Sequence, residues 1–483
     1  MKNNTRNHPV SLSVFFTTEM WERYGFYVIQ TLLALYLVLH AHWTDQRVYA
    51  LVGSFTALTY LSPIVGGWIA DHLLGQKRAI LTGALVLLAS YIEISLSQSD
   101  RGLTASLAGI AVGTGLLKPN ISSLLGNAYP VGSPKRESGF TIFYMGITTG
   151  IILGTTIPNY LNTYFGWSTS FLSAAFGLVI AFMTFWFGIT RHNIRDYTPF
   201  EYHFKKIVLT GLLMATLWGL AFYMLNHPGI APYLFIVIAL FALFYLLLCA
   251  KAEGIEQARQ TLVILLLCTM SVVFFAFYFQ MFLSLTLFIS RTVQPTLLGI
   301  SFPPPYYVGV QSVGMIVFGC LLSCQKNTLD IRKQAIKIGN KFMTALLLIT
   351  VAYGLIALVC RITPPETLLS PWLILPAYLM ISLGEMLLSP VGLSAVTLLA
   401  SHKRVSTMMG IFLMSLGIGA FLSGQLASLT ALSTQELSSD LIKVHYGSSF
   451  GQLFLILTGA TLFCAILNIV IKRFMTAPLP LHH

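Results

Sequence analysis

Along the 483 residues, apolar runs of about twenty residues recur between short polar breaks. That length is what a helix needs to cross the hydrocarbon core of a bilayer. A chain in that medium must satisfy its own N–H and C=O groups, and a helix does so within one segment. Such runs fall near residues 11–39, 47–70, 79–98, 103–125, 139–163, 169–190, 205–225, 231–250, 261–290, 304–324, 343–361, 371–400, 406–430 and 449–472. The expectation is an all-α polytopic membrane protein of about fourteen transmembrane helices. Only 9% of residues are charged while 56% are hydrophobic, so a soluble protein could not cover such a core. Soluble enzyme, disordered segment and nucleic-acid-binding domain are excluded on that ground. The first run carries Glu19, Glu22 and Arg23, which predicts a retained span rather than a cleaved signal peptide.

Loop charge orients the chain. With the N-terminus in the cytoplasm, 21 Lys and Arg residues lie on cytoplasmic segments. The opposite side then holds only Arg47, Arg101, Arg291, Arg361 and Lys443, and Arg23 and Lys118 remain inside the membrane. The positive-inside rule places both termini in the cytoplasm, in keeping with an even number of spans. The net charge of +12 is explained the same way and needs no nucleic acid. The cysteines, Cys320 and Cys324 among them, show no CxxC spacing and lie mostly in apolar runs. They read as small core residues, with no metal or disulfide framework.

The spans organise as six, an inserted pair, and six more. This predicts an N-terminal bundle over 1–190, a linker with two inserted helices over 191–259, and a C-terminal bundle over 260–483. The pair carries no ionisable residue except near its ends and turns at AsnHisProGly, 226–229. It reads as lipid-facing packing. GTGLLKPNIS at 113–122 and SLGEMLLSPVGLS at 382–394 both place small residues ahead of a mid-helix proline, in the fourth span of each half. Related halves with a midplane site are a transporter architecture.

Ionisable groups inside a bilayer are expensive, about 2.5–3.5 kcal/mol each on insertion scales, and so point to function. Glu19, Glu22 and Arg23, at i, i+3 and i+4, share one helix face, which Tyr27 extends. Lys118, before Pro119 and Asn120, is their expected partner. A structural alternative is a buried ion-pair cluster locking two helices together, although buried pairs stabilise poorly against apolar packing. Counting Glu385, three carboxylates face two cations, so one lacks a partner, as a proton carrier requires. A cavity with Arg23 and Lys118 on one wall and Glu385 on the other suits a ligand with separated carboxylate and ammonium ends. Tyr24, Tyr27, Tyr60, Tyr144, Phe275 and Tyr278 can line it, or simply pack. Glu93, near the end of its span, reads as peripheral. GGWIADHLLGQKRAI at 66–80 reads as a latch: Gly66 and Gly67 permit close helix approach, and Asp71 can cap the turn or pair with Lys77 and Arg78. No GxxxxGK[ST] loop supports ATP-driven transport.

These motifs resemble the proton-dependent oligopeptide transporter family of the major facilitator superfamily, nearly end to end. Glu19-Met-Trp-Glu22-Arg23-Tyr24-Gly-Phe26-Tyr27 is similar to the family's ExxER motif, 66–78 to the superfamily loop, Lys118-Pro119-Asn120 to its fourth helix, and Gly384-Glu385 through Ser389-Pro390 to its tenth. The inserted pair fits the bacterial branch. The resemblance implies a major facilitator fold and a proton-coupled symporter importing di- and tripeptides by alternating access. It would lie in a bacterial inner membrane, driven by the proton gradient without cofactor or metal, and act as a monomer. It implies that Arg23 and Lys118 meet the peptide carboxylate, Glu385 its amino terminus, and Glu19 and Glu22 the proton. Tyr27, Tyr60, Tyr144, Phe275, Tyr278, Gln280 and Gln311 would line the pocket, and Gly67, Asp71, Lys77 and Arg78 form the cytoplasmic latch. The chain departs from the family at Phe279, where a carboxylate is frequent, at Thr148 and Gln311, where Asn is usual, and at Phe412, where Trp is common. Those changes keep open a same-fold symporter or facilitator for another small zwitterionic or peptide-like solute.

Overall fold

The computed structural model describes residues 8–97, 99–129, 135–192, 194, 196, 204–252, 254–323, 331–400, 404–432 and 439–476. Lys2, Arg6, Arg195, Lys326 and Lys403 of the charge distribution, and Cys324, lie outside the described residues.

Helix dominates. In chain order the helices are α1 (Ser11–Leu39), α2 (Asp45–Ile69), α3 (Gln76–Leu96), α4 (Asp100–Asn127), α5 (Lys135–Phe165), α6 (Trp167–Arg191), α7 (Phe204–Asn226) and α8 (Ala231–Ala252). They continue with α9 (Ile255–Tyr278), α10 (Ser284–Thr292), α11 (Pro304–Ser323), α12 (Ile331–Ile362), α13 (Pro371–Leu399), α14 (Val405–Ala427) and α15 (Ser439–Thr476). Between α10 and α11 lies a two-stranded hairpin, Thr296–Leu297 against Ile300–Ser301. Its turn residues Leu298 and Gly299 both have positive φ, the geometry that a two-residue hairpin turn demands.

Among the described residues, twelve helical segments are long and apolar enough to cross a membrane, with α9 and α10 counting as one. The two long helices outside that set are α1 and α4. They are the helices that hold Glu19, Glu22, Arg23 and Lys118. The apolar character of α4 is further diluted by Gly109, Gly113 and Gly115. With them the described residues hold fourteen long helical segments, one for each apolar run, twelve of which are candidate spans. The single run 261–290 is interrupted: Phe279–Phe282 tighten into a 3₁₀ turn before α10. Neither Gly nor Pro causes this break. Ser284 Oγ donates to Gln280 Oε1 at 2.5 Å, and Thr286 Oγ1 donates to the Met281 carbonyl at 2.5 Å. Such side-chain bonds offer the backbone an alternative to a continuous helix.

The chain divides into two compact units. One contains the residues up to Leu33 and Leu58–His227; the other contains Ala34–Ala57 and the chain from Pro228 onward. The division passes through the turn between α7 and α8. In the first unit, α7 packs on α4: the Trp218 indole donates to the Ala105 carbonyl at 3.1 Å, and Asn226 donates to Thr104 at 3.0 Å. In the second unit, Phe235 of α8 stacks on Phe421 of α14, with ring centres 4.4 Å apart. Outward side chains of the pair, such as Phe204, Tyr233 and Phe241, are exposed. Cys249, Cys268, Cys360 and Cys464 are buried, but Cys320 is exposed, which corrects its reading as a core residue.

Candidate functional site

In the first unit, close helix approach builds the site. Gly146, Gly150 and Gly154 recur every fourth residue and so line one face of α5. They face Phe16, Met20 and Tyr24 of α1. A Cβ on Gly150 would run into the Met20 carbonyl and lie 2.9 Å from Arg23 Cβ. Small-residue stripes of this kind bring membrane helices together where larger side chains would hold them apart. Gly66 of α2 lies against the backbone of Gly115 in α4 in the same way.

Glu19, Glu22 and Arg23 are all buried. Arg23 donates from Nε to Glu22 Oε2 at 2.5 Å and from Nη2 to Glu22 Oε1 at 2.6 Å. This is the two-pronged match of guanidinium and carboxylate, made here between adjacent residues rather than across a helical turn. Glu19 Oε1 lies 3.5 Å from Arg23 Nε, while Glu19 Oε2 is buried with no hydrogen-bond partner among the described residues. The guanidinium also sits 4.8 Å from the centre of the Phe26 ring. Lys118, half-buried in α4, places Nζ 4.9 Å from the centre of the Tyr60 ring. Its charge acts on Arg23, Glu22 and Glu19, so the four groups form one electrostatic cluster. Tyr91 of α3, fully buried, feels the charges of Glu22 and Arg23; apolar context hid it in the sequence. Tyr27 is half-buried on α1, and Tyr144 of α5 is exposed.

In the second unit, Glu385 is half-buried on α13 and has neutral partners. Gln311 Nε2 of α11 donates to Glu385 Oε2 at 2.6 Å, and the Tyr278 hydroxyl is also hydrogen-bonded to it. Ser382 Oγ donates to the Gln311 carbonyl at 2.7 Å, fixing α11 against α13 one turn away. Phe275, Tyr278 and Phe279 form an aromatic cluster, with the Phe275 and Phe279 ring centres 5.7 Å apart. Phe279 is only 2% exposed, so the family's frequent carboxylate position is here a packed ring. Phe412 is likewise buried, against Gly392. Gln280 is fully buried, and its Nε2 donates to the Ser423 carbonyl at 2.8 Å. The 3₁₀ turn rotates it toward α14.

The loop after α2 also differs in its partners. Ala70–Leu74 form a π-helical turn, and Gly75, at φ 78°, redirects the chain into α3. Lys77 is held by Asp196, backbone N–H to Oδ1 at 2.8 Å and Nζ to Oδ2 at 3.9 Å, and not by Asp71, which is exposed. Gly67 lies 3.9 Å from Pro119 across the α2–α4 contact, measured from the Cβ it lacks. Arg78 is exposed. Glu93 is exposed in the last turn of α3.

One ion pair was not singled out from the sequence. Arg291, at the end of α10, forms two hydrogen bonds to Asp45, in the first turn of α2, at 2.7 and 2.8 Å. Arg291 also donates to the Tyr446 hydroxyl at 2.7 Å, and Asp45 accepts from the Leu432 N–H at 3.1 Å. All four residues belong to the second unit. Each charge sits at a span end, where charges are ordinary, and 246 positions separate them.

A polytopic helical protein that buries an ionic cluster among glycine- and proline-bearing spans belongs to the class of membrane transporters. The comparisons agree. The chain matches the structure of a proton-dependent oligopeptide transporter with a TM-score of 0.82 and 23% identity, covering 96% of this chain and 99% of that one. A POT family transporter in complex with 5-aminolevulinic acid matches with a TM-score of 0.83 and 22% identity, over 97% and 98% of the two chains. Dipeptide and tripeptide permease A of Klebsiella pneumoniae (strain 342) is 31% identical over 460 residues, 93% of this chain and 90% of the relative. The protein of the same name from Cronobacter turicensis is 30% identical over 99% and 94%. The family profile PTR2, POT family, matches residues 77–444. The chain belongs to the POT family, a family of transporters rather than enzymes.

Proposed function

We propose that the protein is a proton-coupled symporter that imports di- and tripeptides by alternating access across a bacterial inner membrane. Both termini lie in the cytoplasm, and the proton gradient drives it without cofactor. Like the permeases it is similar to, it takes short peptides. Arg23 and Lys118 engage the peptide carboxylate, and Glu385 engages the ammonium end. The carrying observation is the first-unit cluster, in which Glu19 Oε2 is buried without a donor while Arg23 is committed to Glu22. Drawing Arg23 toward a substrate carboxylate removes the counter-charge from Glu22. A carboxylate buried without a partner then favours its protonated form, so substrate and proton load together. Gly67, Lys77 and Arg78 act as a cytoplasmic latch, with Asp196 in the place expected for Asp71. The protein acts as a monomer.

A second reading, transport of a different small zwitterion, is favoured by the neutral partners of Glu385 and by the packed ring of Phe279. The 5-aminolevulinic acid of the fold relative carries the same two end groups as a dipeptide. Uptake into proteoliposomes separates the two. Di- and tripeptides should accumulate only with an inward proton gradient. Accumulation of a single amino-acid-like zwitterion with no peptide uptake selects the second reading, and gradient-independent equilibration of any substrate removes coupling.

A further inference from the structure

Tyr91 of α3 stands against the first-unit cluster without joining it. It is fully buried, and its hydroxyl has no hydrogen-bond partner among the described residues. A buried hydroxyl left without a partner is uncommon and costly in a native fold. The Tyr91 ring packs on Gly25 of α1: a Cβ there would lie 2.9 Å from Tyr91 Cε2 and 3.4 Å from Cζ. Gly25 is three residues after Glu22, so the two share a face of α1. The missing side chain at Gly25 thus admits the phenol beside the turn that bears Glu22. The charges of Glu22 and Arg23 both act on it.

The charged groups around this phenol belong to one cluster, Glu22 and Arg23 with Glu19 and Lys118 beyond them. The two helices packed along α3 bring no ionisable side chain: none occurs in α4 between Leu103 and Leu117, nor in α6 between Trp167 and Thr190. Tyr24 of α1 is already engaged, its hydroxyl donating to Ser173 at 2.8 Å, and Glu93 of α3 itself is exposed. Thr18, one turn before Glu22, also has a buried hydroxyl without a partner among the described residues. A helical threonine can turn its hydroxyl back to the carbonyl four residues earlier, as Thr31 and Thr56 do. A phenol has no such local outlet, so Tyr91 depends on a group from another helix.

We propose that Tyr91 is a positioning residue for the coupling carboxylate: when Arg23 turns to the substrate carboxylate, the Tyr91 hydroxyl donates to Glu22 in its place. The assignment rests on the proton-coupled reading of the cluster. In the ion pair both oxygens of Glu22 accept from Arg23, which leaves Tyr91 idle. After the exchange, Glu22 has traded a charged donor for a neutral one. It then takes a proton more readily than in the ion pair, and gives it up more readily than a carboxylate with no donor.

Tyr91→Phe removes the hydroxyl and keeps the ring on Gly25. The parent, Tyr91→Phe and Thr18→Val are compared by thermal unfolding of the purified full chain, by dipeptide counterflow without a gradient, and by initial dipeptide uptake into proteoliposomes against external pH. Tyr91→Phe should unfold at or above the parent temperature, since a hydroxyl without a partner supports nothing, and should retain counterflow. Its uptake should reach half-maximum at a proton concentration about five-fold lower, hence at higher external pH, because the charged form of Glu22 has lost a donor. Thr18→Val should follow the parent profile. A superimposable profile for Tyr91→Phe, a shift to lower pH, an equal shift in Thr18→Val, or unfolding of Tyr91→Phe well below the parent overturns the proposal. A parent with no proton dependence overturns the symport reading, and the role of Tyr91 with it. A proton-dependent parent with an unshifted Tyr91→Phe removes Tyr91 alone.

Discussion

The two units handle buried charge in opposite ways. The first gathers Glu19, Glu22, Arg23 and Lys118 into one cluster, in which each charge depends on the others. The second sets Glu385, half-buried, beside an amide and a phenol, Gln311 and Tyr278. A cluster of mutually dependent charges changes its protonation when one member is drawn off. A carboxylate with neutral donors keeps its partners whatever happens elsewhere. Under the proposed function the contrast implies a division of labour, in which coupling would fall to the first unit and recognition of a cationic end to the second. The packed ring of Phe279 fits this division, since it removes a titrating group from the second unit.

The largest effect that could break the comparison is loss of Arg23. Arg23→Ala leaves Glu22 and Glu19 buried without their guanidinium, and breaking a buried pair this way costs about 3–5 kcal/mol. Purified Arg23→Ala should unfold well below the parent, and Glu22→Gln in the same background should recover part of the loss. Unchanged unfolding of Arg23→Ala would make the cluster a loose surface feature. Next in size is recognition. Converting a dipeptide carboxylate to an amide should weaken binding by about 1.5–3 kcal/mol, the value of a charge-assisted hydrogen bond. An amidated peptide that competes as well as the free acid removes Arg23 and Lys118 from that role.

Packing comes third. Gly150→Ala forces a methyl group into the Met20 carbonyl beside Arg23, and overpacking of this kind costs about 1–3 kcal/mol. The same change at Gly459 of α15, which has open space around it, should leave stability near the parent value. Equal losses at both sites would detach the glycine stripe from the cluster. The smallest effect sharpens the second unit. Gln311→Ala removes one neutral donor from Glu385 and leaves the other, Tyr278, in place. It should change peptide affinity modestly and leave the proton dependence of uptake unaltered. A shifted pH profile would give the second unit a share in coupling.

Much of this was legible in the sequence, for a physical reason. An ionisable residue within an apolar run has no cheap explanation, so Glu19, Glu22, Arg23, Lys118 and Glu385 stand out before any fold is known. The fourteen long helical segments follow from run length alone. What was not legible depends on local backbone geometry or distant pairing. Gln280 looked like its neighbours Tyr278 and Phe279 until the 3₁₀ turn rotated it onto α14. Lys77 has an acid six residues before it, yet the turn at Gly75 delivers it to Asp196. Asp45 and Arg291 each occupy an ordinary place for a charge, and only the fold joins them. The glycine stripe was visible in GITTGIILG, but its meaning required knowing that α1 lies against it.

The central claim is that the first-unit carboxylates couple proton to substrate, and Glu22→Gln tests it most directly. The amide keeps the size of Glu22 and can still accept a hydrogen bond from Arg23, but cannot take up or release a proton. In proteoliposomes, two activities are measured side by side: peptide accumulation driven by an inward proton gradient, and peptide counterflow with no gradient. The account predicts that Glu22→Gln abolishes accumulation and retains counterflow. Equal loss of both activities in a folded variant, or accumulation at the parent level, would contradict it.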